Sequence, residues 1–308
     1  MKRLIHIAEL SDHIPLLKRA ESLTQIHKGY SHDEKYLVTM PSGEKYVLRL
    51  TDTANNEKKK TEFEVLTELR KRHVKCPQPI ELGLLDKPQL SYNILSFVEG
   101  KDAKEILTHL TEKEQYQLGV SAGKDLKRMH EYPAPPDIEP WEKRVIKKHH
   151  RYLDAYKLSG MKFEGDAQIA DFIAQHINIV KDRPNQFQHD DFHVGNIIVH
   201  QKQYAGAIDF NNYDWGDPIH DFYKVALFSR EKSVAFSVGQ INGYFADNIP
   251  KDFWLLYSVY VAMSVFSSIM WVIKFDPQQM NEMMDRLKKV VKDHEQFKQL
   301  EPIWYARY

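Results

Sequence analysis

Gln188-His189-Asp190-Asp191-Phe192-His193-Val194-Gly195-Asn196-Ile197-Ile198-Val199-His200, followed after Gln201-Lys202-Gln203 by Tyr204-Ala205-Gly206-Ala207-Ile208-Asp209-Phe210, is the stretch on which the fold turns. Asp191 and Asn196 stand five apart in a segment that reads as a loop. Ile197–His200 and Tyr204–Ile208 read as two short strands joined by a polar turn, with Asp209 at the exit of the second. A carboxylate in a loop, an amide at the loop's end and a carboxylate at the mouth of a hairpin can converge on one spot. Magnesium-dependent phosphoryl transfer requires that arrangement. Taken alone, the Asp191–Asn196 spacing is also that of loop-capping side chains. The rival from another class, a zinc- or manganese-dependent hydrolase, would use His189, Asp190, Asp191, His193 and His200, but no other cluster with ligand spacing supports it.

Upstream, three runs read as an antiparallel meander over 23–50: Leu23–His27, Glu34–Met40 and Lys45–Leu50. The turn over 28–33 contains Gly29 and Ser31, whose backbone N–H groups would form an anion nest. Ser11 and Pro15 predict a short helix over 11–22. Phe63, Leu66 and Leu69, with Val65 beside them, give helical spacing over 58–71. Ile80–Leu85 and Leu90–Phe97 read as two more strands, turning through Asp86-Lys87-Pro88. Five strands and one helix complete a small α+β lobe, 1–97. Arg49 lies late on the third strand, and Glu62 lies on the helix after it.

At Val98-Glu99-Gly100 the pattern becomes mainly helical, predicting a second lobe over 98–308. Helices are expected at 102–110, 112–131, 141–159, 166–181, 219–229, 232–247, 252–273 and 277–298. The uncharged run Phe253–Ile273 is long enough to span a bilayer, yet it carries Ser258, Ser264, Ser267 and Ser268 and reads as a buried core helix.

The 308 residues balance 43 basic against 43 acidic side chains. That balance gives no electrostatic case for a nucleic-acid partner. The single cysteine, Cys76, cannot form an internal disulfide. With no apolar leader at the N-terminus, this fits a soluble cytoplasmic protein.

The order of these features resembles the protein-kinase-like fold, and more closely the aminoglycoside phosphotransferase family, which includes macrolide phosphotransferases. His189–Val199 is similar to that family's His-Gly-Asp-Leu-His-Pro-Gly-Asn signature. Ala207-Ile208-Asp209-Phe210 is similar to its metal-binding motif, and Gly216-Asp217-Pro218 with Asp221 to the segment that follows. The resemblance implies an α+β, bilobal fold and a small-molecule kinase that uses ATP or GTP with Mg2+. The substrate would be an aminoglycoside, a macrolide or a related metabolite.

By the same resemblance Asp191 is the catalytic base with His193 beside it, and Asn196 and Asp209 hold the metal. Arg49, braced by Glu62 or by its competitor Glu64 on another face of the helix, binds phosphate where most kinases use Lys. Gly29 and Ser31 belong to the phosphate turn. Ser96 and Val98 belong to a hinge, 96–100, that meets the nucleotide base. Asp190 replaces a Gly, which Asp tolerates if φ is positive. The short interval from Asp209 to Asp217 leaves no room for an activation segment and argues against a protein kinase. Asp214, Asp217, Asp221, Glu231 and Asp247 are candidates for an acidic rim around a cationic acceptor, with Asp217 and Asp221 read instead as structural, and the aromatic region 244–273 for apolar walls. An inactive, nucleotide-binding relative is the rival within this fold.

Overall fold

The computed structural model describes residues 7–27, 33–85, 89–306 and 308. The chain divides into two compact units, Met1–Glu99 and Gly100–Tyr308. In the first, helix α1 (Ile7–His13) precedes strands β1 (Ser22–Ile26), β2 (Glu34–Thr39) and β3 (Lys45–Asp52). Helix α2 (Asn56–Lys71) and strands β4 (Pro79–Leu85) and β5 (Leu90–Ser96) follow. The five strands form one antiparallel sheet in the order β1-β2-β3-β5-β4.

Alternation on β3 sorts its side chains. Leu48 and Leu50 are buried with Val38, Ile94 and the N-terminal Leu10, Ile14 and Leu17. Arg49, between them, must point to the opposite face of the sheet. There it meets α2, whose buried residues Lys59, Glu62, Val65, Leu66 and Leu69 follow helical spacing. Phe63, expected on that stripe, is only half-buried, and Glu62 holds the inward position.

The helix expected over 11–22 is displaced. Ser11 lies inside α1 rather than capping it, and a 3-10 turn, Leu17–Arg19, follows. Pro15 explains the break, because its ring and missing N–H cannot continue an α-helix.

The second unit contains β6 (Lys101–Asp102), α3 (Ala103–Ile106), α4 (Glu112–His130), α5 (Trp141–Leu158), α6 (Asp166–His176) and β7 (Gln186–Gln188). Then come β8 (Ile197–His200), β9 (Gln203–Ala207), β10 (Asp214–Gly216), α7 (Arg230–Lys232), α8 (Val234–Phe245), α9 (Phe253–Phe275), α10 (Met280–Asp293) and α11 (Ile303–Ala306). Thr111 and Glu114 close a capping box at the start of α4. Helices α4 and α8 meet backbone to backbone. A Cβ on Gly123 would lie 2.0 Å from the Gln240 carbonyl oxygen, and one on Gly239 would lie 2.2 Å from that of Tyr116.

Helix α9 is the uncharged run. Its Phe253, Tyr257, Tyr260 and Phe266 are at most 1% exposed. Those aromatics therefore pack into the core. Of its large side chains, Trp271 and Phe275 reach the surface.

The helix expected over 219–229 is instead a 3-10 turn, Pro218–Phe222, and a π-helical turn, Val225–Ser229. The one expected over 277–298 ends at Asp293, where Glu295, Gln296 and Phe297 adopt positive φ. Strands β7 and β10, absent from the expected pattern, pair Asp214 with Gln188 and anchor the start of the 188–196 loop.

Candidate active site

The hairpin β8–β9 turns at Gln201 and Lys202, both with positive φ, as a tight two-residue connection requires. It sets Ile197 opposite Ala207, and the Ile208 N–H donates to the Asn196 carbonyl at 2.9 Å. Asn196 and Asp209 therefore emerge side by side. Asp209 has φ +67°, a left-handed conformation that Asp tolerates better than most residues. The Asn211 amide donates to its carboxylate. Buried His189 bridges loop and hairpin, its Nε2 donating to the Ile208 carbonyl at 3.1 Å while its ring packs on Phe210.

The loop itself hangs on Asp221. This fully buried carboxylate accepts the N–H groups of His189 and Asp190, each at 2.8 Å, and His130 Nε2 at 3.1 Å. Burial alone would raise the Asp221 pKa, but the bond from His130 and the nearby histidines hold it below the usual value. Asp190 has φ +55°, the condition under which Asp can replace Gly there. Burial pushes its carboxyl up to about 6.

Asp191 is held from three sides. Asn196 Nδ2 donates to Oδ2 at 2.8 Å, Lys224 Nζ to Oδ1 at 2.9 Å, and His193 Nε2 lies 3.3 Å from Oδ1. His193 Nδ1 accepts the Gly195 N–H at 3.0 Å, which puts the ring proton on Nε2, facing the carboxylate. Burial pushes the Asp191 carboxyl up, yet the Lys224 ammonium and His193 outweigh it and hold the group well below its ordinary value. Burial disfavours the Lys224 ammonium, and the anions around it keep the group raised.

In the first unit, Arg49 Nη1 donates to Glu62 Oε1 at 2.7 Å, and Glu64 is exposed. Lys59 Nζ lies 2.5 Å from Asp33 and 3.5 Å from Glu62, so four charges form one largely buried chain. The Ser96 N–H donates to the Gln78 carbonyl at 2.8 Å, and its hydroxyl accepts the Gln78 N–H at 2.7 Å. The Ser96 N–H and one acceptor position of its hydroxyl are thus used on this unit's own backbone. Val98 follows beyond the end of β5, half-buried. Gly29, Ser31 and the turn over 86–88 lie outside the described residues.

Two expectations change. Asp217 is paired with Arg183 at 2.8 and 3.0 Å and buried, Asp221 is buried, Asp214 bonds Arg144, and Glu231 bonds Arg286 and Lys289. Of the five rim candidates, only Asp247 is exposed outside these pairs. The histidine-rich hydrolase cluster also disperses. His189 is buried beneath the loop while His200 is exposed at the end of β8, and no three metal-ligating side chains converge among the described residues.

Lys224 and the Lys59–Asp33 pair did not emerge from the sequence reading. The available signal for Lys224 was a lone cation in the apolar run 222–228.

The model of the phosphotransferase enzyme family (APH) matches residues 22–253. The chain belongs to this family. As a member it is a phosphotransferase with an alcohol group as acceptor. No curated protein matches the chain by sequence. Among solved structures, the gentamicin complex of APH(2'')-IIa has a TM-score of 0.65 at 18% identity, covering 94% of this chain and 97% of that one. The GDP complex of aminoglycoside 2'-phosphotransferase-IIIa has a TM-score of 0.68 at 13% identity, covering 96% and 100%. A ternary complex of an APH(4)-Ia variant with ADP and hygromycin B has a TM-score of 0.67 at 16% identity, covering 92% and 97%. The family member described here shares their α+β, protein-kinase-like fold.

Proposed function

We propose that this phosphotransferase moves the γ-phosphoryl group of ATP or GTP to a hydroxyl of an aminoglycoside, a macrolide or a related small metabolite. The observation that supports this reading most strongly is the immobilised Asp191 carboxylate, bonded to Asn196 and set on the loop beside Asp209. Asp191 orients the acceptor hydroxyl and takes its proton as the acceptor oxygen bonds to phosphorus. The bond from phosphorus to the bridging oxygen breaks, and its electron pair stays on the nucleoside diphosphate. A carboxylate of depressed pKa suits this task, because the loose transition state rewards positioning over basicity.

The donor set fits magnesium. Asn196 Nδ2 is committed to Asp191, which leaves its amide oxygen free, and Asp209 adds a hard carboxylate. These two residues would hold the ion, which would neutralise phosphate charge. Arg49, fixed by Glu62, would bind phosphate oxygens in its planar fork. The 1–97 unit is assigned to the nucleotide, with the Gly29–Ser31 turn and the Ser96–Val98 hinge as further contacts, and 98–308 to catalysis and the acceptor.

The test is a screen of ATP and GTP turnover against aminoglycosides, macrolides and hydroxylated metabolites, with the phosphorylated product identified by mass. Transfer to one of them supports the reading. Tight nucleotide binding with no transfer to any acceptor would mark a non-catalytic nucleotide-binding protein instead.

A further inference from the structure

An ionised carboxylate offers about four lone-pair positions. At Asp191, Lys224 and His193 face Oδ1, and Asn196 occupies one position on Oδ2. One position remains, on Oδ2. Both donors to Oδ1 are braced by the same piece of backbone, the π-helical turn Val225–Ser229 that starts directly after Lys224. Phe228 of that turn packs on the His193 ring at 4.6 Å, and the Lys224 ammonium lies 5.6 Å from the Phe228 ring centre. The Val194 N–H donates to Ser229 Oγ at 3.4 Å. Turns of this kind recur at functional sites because they displace a side chain from its helical position.

We propose that Lys224 is a positioning residue for phosphoryl transfer, holding Oδ1 of Asp191 so that Oδ2 alone meets the acceptor hydroxyl. The proposal rests on Asp191 being the base. In the step, the hydroxyl proton passes to Asp191 Oδ2, the acceptor oxygen bonds to the γ-phosphorus, and the leaving pair departs on the diphosphate. Lys224 makes and breaks no covalent bond. A carboxylate freed from Lys224 would rotate and present either oxygen, and such misplacement costs about 10- to 100-fold in rate.

The experiment measures kcat, KM for ATP and thermal midpoint with magnesium and the best acceptor among water, gentamicin, streptomycin and hygromycin B. The proteins are wild type, Lys224→Met, Lys224→Arg, Asp191→Asn and the Asp191→Asn/Lys224→Met pair. The expected result is a loss of about tenfold or more in kcat for Lys224→Met, with KM for ATP within about twofold. Lys224→Arg recovers part of the loss, and Lys224→Met adds nothing once Asp191 is Asn. Wild-type kcat in Lys224→Met with only a lowered thermal midpoint overturns the proposal, and so does a double-variant loss equal to the product of the single losses. If Asp191→Asn keeps wild-type kcat, the base assignment falls and the role of Lys224 falls with it. Should Lys224→Met fail to fold, Lys224→Gln is read by the same criteria.

Discussion

Asn196 Nδ2 donates both to Asp191 Oδ2, at 2.8 Å, and to the Asp191 backbone carbonyl, at 3.0 Å. The two hydrogen bonds make two chemistry-bearing residues one mechanical unit and fix which way the Asn196 amide oxygen points. Asn196→Ala removes both the brace and the oxygen ligand. A kcat loss of about 100-fold is expected, together with a higher magnesium requirement in a titration at fixed ATP. An unchanged magnesium curve would remove Asn196 from the metal site.

Asp209 is best probed with Asn, because its φ of +67° is strained for Ala but tolerated by Asn. Asp209→Asn keeps the loop and loses the charge. ATP binding measured by calorimetry should lose most of its dependence on magnesium. Identical affinities for wild type and variant across a magnesium series would count against the metal role.

The Arg49–Glu62 pair is buried, with 7% and 1% of the two residues exposed, and Lys59 shares the same carboxylate. Glu62→Ala removes the carboxylate that Arg49 and Lys59 share in a poorly solvated site, and breaking such a buried pair costs about 3–5 kcal/mol. Urea denaturation should show that loss, accompanied by a raised KM for nucleotide. A change below about 1 kcal/mol would mean that the pair is better solvated than its burial indicates.

Burial holds two histidines away from the acceptor chemistry, His149 and His294, down at about 4. Their ordinary value is near 6.5, so below that pH the unfolded chain takes up protons that the folded chain refuses. Each therefore contributes stability that is complete above about pH 6.5 and is lost as pH falls toward 4, up to about 3 kcal/mol apiece. Asp190, raised to about 6, acts with the opposite sign in part of that window. His149→Gln should flatten the fall in urea midpoint between pH 6.5 and 4. A variant that tracks wild type throughout would show that His149 is hydrated.

The sequence was legible where a period governs the side chains. Alternation on β3 placed Arg49 opposite Leu48 and Leu50, whereas its pairing with Glu62 was implied by the family resemblance and not by the spacing on α2, which had set Phe63 inward. The β8–β9 hairpin was legible from its apolar runs and polar turn. Lys224 was not, because residues 218–229 follow first a 3-10 and then a π period, and neither matches the 3.6-residue pattern used to read helices. The ion pairs of the rim candidates were illegible for a different reason. Asp214 and Glu231 reveal their internal Arg partners only in three dimensions, since those partners lie 70 and 55 residues away.

The most direct test of the central claim is a mass measurement of the acceptor after incubation with ATP and magnesium, comparing wild type with Asp191→Ala. The account expects a phosphomonoester at one hydroxyl of the acceptor with wild type, and none with Asp191→Ala even though that variant still binds ATP. A phosphorylated product formed at the wild-type rate by Asp191→Ala would contradict it.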